Sequence, residues 1–223
     1  MKIAAIIVSR KDSKRILFKS RKKINKVSIV ERKIIQLKKS KLINKIYLGT
    51  NDLTLKRLAT KHKIDFVRRE DKFCDETKTD AIGMVKNMLK YVNEEIILWA
   101  HPTNPFINEI IYDKAINKFK KFSKNFDSLF SVTTIKNHYW DHKKKPINHN
   151  PFGKKHIVAN KLQPLYCQNG GIFIRFKKGM IKDGRFIGKK PQMFQLNEIQ
   201  GWDLDHNWQL DLARALVKCR YVK

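Results

Sequence analysis

The stretch IAAIIVSRKDSKRILFK, residues 3–19, decides how the chain is read. Its first six residues are apolar without polar alternation, the pattern of a strand buried on both faces, as in parallel sheets. A loop rich in charge comes next, at the carboxyl end of that strand, where open α/β folds collect their ligands. Backbone N–H groups together with Arg10, Ser13, Lys14, Arg15 and Lys19 suit a triphosphate there. The loop is not a Walker A motif, because it lacks the glycines and the Gly-Lys-Ser or Gly-Lys-Thr ending. Taken alone, it reads equally as a solvated basic turn.

Outward from this stretch, strands and helices alternate. VSIVERKIIQLKKSKL places Ile29, Val30, Ile34, Leu37 and Leu42 near helical spacing. NKIYLGTND then reads as a strand, LTLKRLATKHK as a helix and IDFVRR as a strand, a βαβαβ opening. After the polar loop FCDETKTD come the helix AIGMVKNMLKYV, the strand IILWA, the turn HPTNPFIN, a helix through IIYDKAINKFKKF and a fifth strand, SLFSVTTI. From Lys136 to about Lys161 periodicity fails, in a stretch too long for an ordinary connection: a functional excursion or a partner-binding arm. Strands resume at LYCQNGGIFIRF and QMFQL. A final helix is expected after WDLD, capped by Asp205 or Asn207, with Trp208, Leu212, Ala215 and Leu216 on its apolar side. The whole is one α/β domain over residues 1–223, with three layers, a mostly parallel sheet flanked by helices, and an insertion at about 136–161.

Composition bounds the function. With 49 Lys and Arg against 20 Asp and Glu, the net charge of +29 favours polyanions at low salt. The Lys, Ile and Asn bias runs along the whole chain, so a coding bias explains the charge as well as a ligand does. Cys74, Cys167 and Cys219 stand far apart with no C-x-x-C, which argues for a reducing compartment and against a disulfide framework or structural zinc. The N-terminal apolar run is too short for a signal peptide, and no segment reaches the length of a membrane span, so a cytoplasmic protein is expected.

Three further constellations join the first loop. Asp203 and Asp205 in WDLD, one residue apart in an extended segment, point to the same side and can share a hard cation; capping of the last helix is the plainer reading. In HPTNPF, His101, Thr103 and Asn104 present polar groups at the ligand edge, His101 as a hydrogen-bonding group or a general acid or base. In QNGG, Asn169 and the glycines permit close approach of a substrate, or else mark a bulge.

Together these pieces resemble the cytidylyltransferases that activate acidic sugars, the acylneuraminate cytidylyltransferases (CMP-sialic acid synthetases) and CMP-Kdo synthetases. The resemblance runs through residues 9–19, TND at 50–52, VRR at 67–69, DETKTD at 75–80, HPTNPF at 101–106, SVTTIKNHYW at 131–140, YCQNGGIFI at 166–174 and WDLD at 202–205. It implies a Rossmann-like nucleotidyltransferase fold and transfer of CMP from CTP to an acidic sugar, a sialic-acid-like nonulosonic acid or a Kdo-like one, in surface glycan biosynthesis. It implies that Arg10, Ser13, Lys14, Lys19, Arg68 and Thr79 bind the nucleotide, that His101 and Asn169 meet the sugar, and that Asp203 and Asp205 hold Mg²⁺. Arg10, Lys14, Lys19, Asp203 and Asp205 would form the catalytic set. The excursion matches the arm through which sialic acid synthetases dimerise, which implies a homodimer. The chain departs from the family at Lys11 and Asp12, where two glycines are usual, at Leu17 for proline, at Asn51 for aspartate and at His101 for glutamine. The opening loop also resembles spore-coat-type polysaccharide cytidylyltransferases, so another acceptor or nucleotide is the nearest rival reading. A basic nucleic-acid-binding protein is a more distant one, since no RNA-binding motif interleaves aromatics with the cations.

Overall fold

Ile3, Ala4, Ala5, Ile6 and Ile7 are all fully buried in the computed structural model, which describes residues 1–75 and 77–222. Glu76, within the loop DETKTD, and Lys223 lie outside the described residues. The buried run forms β1 (Ile3–Ser9). Its odd residues Ile3, Ala5 and Ile7 face one helical layer and its even residues Ala4 and Ile6 the other, because successive side chains of a strand alternate between faces.

Around β1 the chain lays down β2 (Lys23–Ile24), β3 (Val27–Ser28), α1 (Ile29–Lys38), β4 (Lys45–Thr50), α2 (Lys56–His62), β5 (Asp65–Arg68), α3 (Ala81–Leu89) and β6 (Ile96–Trp99). It continues with α4 (Glu109–Phe122), β7 (Ser128–Ile135), β8 (Leu165–Phe176), α5 (Lys177–Asp183), β9 (Pro191–Leu196) and α6 (Asn207–Lys218). Seven strands form one sheet in the order β5-β4-β1-β6-β8-β7-β9, while β2 and β3 make a separate hairpin. The sheet is parallel except for β8, which runs antiparallel to both β6 and β7. Helices α1, α2 and α4 cover one face, and α3 with α5 the other. The three-layer, mostly parallel α/β architecture is the one expected. Strand order reverses at β1, whose neighbours β4 and β6 leave it on opposite sides, so the loop after β1 opens at the switch point where such sheets bind ligands.

Local chemistry sets the helix starts. Ser28, Asp80 and Asn108 each accept a hydrogen bond from a backbone N–H three residues on, at 3.2, 2.8 and 3.1 Å. The first helix is shorter than its apolar spacing suggests: Val27 and Ser28 pair with Ile24 and Lys23 instead, about a turn in which Asn25 takes a positive φ of 57°. The last helix differs in two ways. Neither Asp205 nor Asn207 caps it; Gln209 Oε1 reaches back to accept from the N–H groups of Asp205 (2.6 Å) and His206 (2.7 Å), and this leaves the Asp205 carboxylate free for other partners. Its buried face is Leu210 and Ala213, packed with Ile24, Ile29, Phe106 and Leu204, whereas Trp208 and Leu212 are exposed. Between Lys136 and Lys161 the described residues form no helix longer than the 3-10 turn Ala159–Lys161 and no strand, only an isolated bridge between Trp140 and Pro146.

Buried Arg175 on β8 is answered by Asp183 at the end of α5, through two parallel bonds of 2.7 and 2.9 Å. Arg175 holds the Asp183 carboxyl below its ordinary pKa, so the folded state takes up that proton less readily than the unfolded one. Asp183 is 36% exposed, so Asp183→Asn should cost only roughly 1 kcal/mol at neutral pH. That contribution is complete above about pH 4 and is lost as the pH falls through the lower folded-state pKa. Urea midpoints of wild type and variant should therefore differ at pH 7 and converge in acid. A gap that persists undiminished in acid contradicts the assignment.

Candidate active site

The loop after β1 is pinned from three sides. Ser9 Oγ donates to Thr50 Oγ1 (3.2 Å) at the end of β4. Asn51 Oδ1 accepts from the Lys11 N–H (2.9 Å), while its amide donates to Asp71 Oδ1 (2.9 Å). An aspartate at position 51 could not make the second bond, which gives the asparagine there a physical reason. Further on, Phe18 adopts the left-handed conformation (φ 52°), and its ring lies 4.7 Å below the guanidinium carbon of Arg21. Arg21 in turn donates to the buried Asp52 at 2.6 Å. Left-handed backbone at a non-glycine costs about 1–2 kcal/mol, so these contacts have strain to offset.

The segment Trp202–Asp205 closes against this loop. Lys19, buried in the loop, donates through Nζ to the Leu204 carbonyl (2.6 Å) and to Asp205 Oδ1 (3.1 Å). Arg15 reaches the same Asp205 oxygen at 2.7 Å. The Leu204 N–H donates to the Thr103 carbonyl (2.9 Å) of the turn after β6, and the Leu204 side chain is fully buried between the two aspartates. No local signal announces the pairing of Arg15 and Lys19 with Asp205, since 186 positions separate Lys19 from Asp205.

Three cavities lie along this edge and share residues. A cleft of about 770 Å³ is lined by the cations Arg10, Lys11, Lys14, Arg68, Arg69 and Lys78 and the acids Asp12, Glu70, Asp71 and Asp75. A smaller one of about 160 Å³ is lined by Ser9, Arg10, Ser13, Arg15, Lys19 and His101. A third, of about 750 Å³, holds His101, Lys136, Asn169, Glu198, Asp203 and Asp205. Arg10 is common to the first and second and His101 to the second and third, so the three adjoin along one edge. Asp12 does face the cationic cleft. Thr79 is not among the residues lining it: its N–H donates to the Asp75 carbonyl (3.0 Å), and its methyl occupies the space beside Gly83.

His101 sits with its ring edgewise to Phe173 and Phe186, at 5.8 and 6.2 Å. Burial lowers its pKa, against the opposing pull of nearby Asp203. Opposite it, the ladder between β7 and β8 breaks: pairing jumps from Phe130 and Phe173 to Val132 and Gln168, so four residues of β8 face Ser131 alone. Gly170 supplies the positive φ of 72° this bulge needs. Side chains replace the lost ladder bonds. Ser131 Oγ accepts from the Ile172 N–H (2.8 Å) and donates to Asn169 Oδ1 (2.5 Å), which also accepts from the Gly171 N–H (3.1 Å). The Asn169 amide donates to Thr133 Oγ1 at 2.9 Å. Asn169 therefore lines the third cavity with a side chain already engaged at both ends.

Residues 4–195 match the family model described as Cytidylyltransferase. The chain belongs to the cytidylyltransferase family. Among curated proteins it is 22% identical over 229 residues to the post-translational flagellin modification protein B of Campylobacter coli, covering 97% of this chain and 95% of that one. A stretch of 117 residues is 32% identical to valine–tRNA ligase of Buchnera aphidicola subsp. Schizaphis graminum, covering 48% of this chain and 12% of that protein. The chain thus spans about an eighth of the length of that relative, too little to carry an argument about activity. In fold it is similar to a CMP:2-keto-3-deoxy-manno-octonic acid synthetase complexed with CTP, with a TM-score of 0.71 at 10% identity over 99% of this chain and 100% of that one.

Membership makes CTP-dependent nucleotidyl transfer the activity this cytidylyltransferase site has to serve, yet the matched stretch stops before Asp203 and Asp205. Among the described residues no three His, Cys, Asp or Glu side chains gather as a metal cage. Asp203 nonetheless has a buried Oδ1 with no hydrogen-bond partner, the kind of oxygen a cation would satisfy, and Asp205 lines the same cavity two residues on. The pair fits a divalent ion.

Replacing Asn169 by alanine strips the bulge of its substitute bonds and leaves the Gly171 N–H and the Ser131 hydroxyl without their acceptor. The expected loss is about 1–3 kcal/mol of stability, read as a fall in the urea midpoint. An unchanged midpoint shows that the side chain does not hold the bulge.

Proposed function

We propose that the chain transfers CMP from CTP to a hydroxyl of an acidic sugar, a nonulosonic acid or a Kdo-like one, with release of pyrophosphate, in surface glycan biosynthesis. One observation carries the reading: a net cationic cleft, a small cavity at the Arg10–Lys19 loop and a cavity holding Asp203 and Asp205 adjoin along one edge. A nucleotide in the first and a sugar in the third would meet at the small cavity between them.

There, Arg10, Ser13, Lys14 and Lys19 bind the triphosphate, and Arg68 lies along the nucleotide side. The acceptor oxygen bonds to the α-phosphorus in line and gives up its proton to solvent, while the bond to the β-phosphate bridging oxygen breaks and its electron pair leaves with pyrophosphate. The chain's work is positioning and neutralisation of charge. Asp203 and Asp205 would hold Mg²⁺, which when bound supplies compensation for the triphosphate charge. Arg15 and Lys19 already share an Asp205 oxygen, so the same carboxylate steadies the cations that face the phosphates. His101, held largely neutral by burial, offers the sugar a hydrogen bond rather than a charge. Lys136 is the cation among the residues lining the third cavity, and it is the natural partner for a sugar carboxylate.

The reading extends to a cytoplasmic homodimer without specific affinity for nucleic acid. The three cysteines are free, and no helix among the described residues is long and apolar enough to cross a membrane. Apolar surface on the arm and just after it supports a second copy as partner: Trp140, Ile147, Phe152, Ile157, Val158 and Tyr166 are all exposed. Light scattering should return about twice the 26.4 kDa of one chain, and replacing Trp140 and Phe152 by serine should shift it toward the single mass. A wild type that scatters as one chain removes the dimer from the reading.

Incubation with CTP, Mg²⁺ and a panel of acidic and neutral sugar acceptors, read by mass and by pyrophosphate release, tests the reaction itself. The expected product is a CMP-linked acidic sugar, with turnover lowered at least a hundredfold, about 2.7 kcal/mol, in Asp203→Ala. Product only with neutral acceptors, or with another nucleotide, moves the chain to the rival nucleotidyltransferase reading.

A further inference from the structure

Beneath the turn after β6 lies a polar network that the proposed reaction leaves unused. Lys33 and Gln36, one helical turn apart on the inner face of α1, are both buried, Lys33 completely. Lys33 Nζ donates to the Asn104 carbonyl (2.8 Å) and to the Tyr112 hydroxyl (2.6 Å). Gln36 Nε2 donates to the next carbonyl, that of Pro105, at 2.7 Å. Two consecutive carbonyls of the turn are thus held from below by one helix. Asn104, itself fully buried, passes this hold upward: its Nδ2 donates to the carbonyls of Asn169 (3.0 Å), Trp202 (3.2 Å) and Gly201 (3.3 Å). Carbonyl oxygens only accept, so the side chain must turn its N–H₂ toward them, its two N–H bonds shared among the three. At Gly201 a Cβ would run into Thr133 Oγ1 and the Asn169 amide, so the chain passes close against both side chains there and has room for no side chain of its own. The residue that follows Trp202 is Asp203.

The geometry points to Lys33 and Asn104 as positioning residues that fix the Trp202–Asp205 segment, and with it the Asp203 carboxylate, against the turn carrying His101. The hold on the segment stands on these contacts alone; its bearing on the reaction rests on the proposed reading of Asp203 as a ligand to the metal. A lysine is a costly choice for a fully buried site, since burial pushes its pKa well below the ordinary value. Neutral or charged, its amine donates to both acceptors, which a methionine of similar volume cannot. The same turn also receives the Leu204 N–H at the Thr103 carbonyl, so the segment is anchored on both sides of Asp203. His101 begins the turn and Asn169 carries the bulge, so Asn104 sets the spacing between the two walls of the third cavity.

The chain contains four tryptophans, and 5-fluorotryptophan labelling gives each a ¹⁹F resonance, with Trp202 assigned through Trp202→Phe and core Trp99 as the internal reference. In Lys33→Met and in Asn104→Asp, the Trp202 resonance is expected to shift and broaden while that of Trp99 stays in place. Mn²⁺ affinity, measured by water-proton relaxation on the full chain, is expected to weaken at least tenfold, with KM for CTP within about twofold of wild type. An unmoved Trp202 in both variants overturns the proposal, and so does a joint movement of Trp202 and Trp99, which marks general loosening. A wild type that binds no Mn²⁺ overturns only the metal reading, because the Trp202 response decides the positioning role without any metal present.

Discussion

One buried ammonium group joins the beginning of this chain to its end. Lys19 Nζ sits between the Leu204 carbonyl and the Asp205 carboxylate, and this buried contact ties the loop after the first strand to the WDLD segment. Neither piece is regular structure, and each would be a solvated turn by itself. The ion pair from Arg15 to the same Asp205 oxygen adds little energy at an exposed arginine, but it fixes which way the loop leans. Both pieces line the adjoining cavities of this edge. The sheet supplies the platform: because β1 is buried on both faces and neighboured on both sides, its loop has only one place to go, out over the carboxyl edge.

The unusual charge of the chain reads differently at the site than in the composition. Net charge of +29 spread over the surface raises the local concentration of any polyanion and selects none. Selection requires cations held in place, and the edge of the sheet holds them by neighbours of opposite sign: Asp205 for Arg15 and Lys19, Asp52 for Arg21. Two acids, Asp205 and Asp52, give three of the cations there their direction.

How much is legible in the sequence depends on whether the signal is local. The alternation of apolar runs with helical spacings yields the layers, and the residues around 10–19, 101–106 and 202–205 mark the edge at which they meet. The family resemblance, too, rests on short local motifs. Distant partners decide the rest. Lys23–Ile24 and Val27–Ser28 are too short to show alternation, so their hairpin reads as part of the first helix. On α6, apolar residues lie on more than one face, and only the pocket formed by Ile24, Ile29 and Phe106 selects Leu210 and Ala213 over Trp208 and Leu212. Asn104 reads as a ligand-facing polar residue of a turn, whereas it points inward, because three carbonyls brought together from β8 and from residues 201–202 need its amide. Asn169 is a similar case, engaged by a bulge whose existence only the strand pairing reveals.

The closure of Arg15 and Lys19 on Leu204 and Asp205 has a consequence for the order of synthesis on the ribosome. The sheet pairs β1 with β4 and β6 from segments that emerge within the first hundred residues, so a platform can assemble while translation is still under way. Lys19 must nevertheless wait for Leu204 and Asp205, the last pieces before the final helix. A chain stopped before that point lacks both partners of Lys19 and the carboxylate that Arg15 reaches. Closure of the loop is thereby coupled to synthesis as far as Asp205, the residue that Arg15 and Lys19 share.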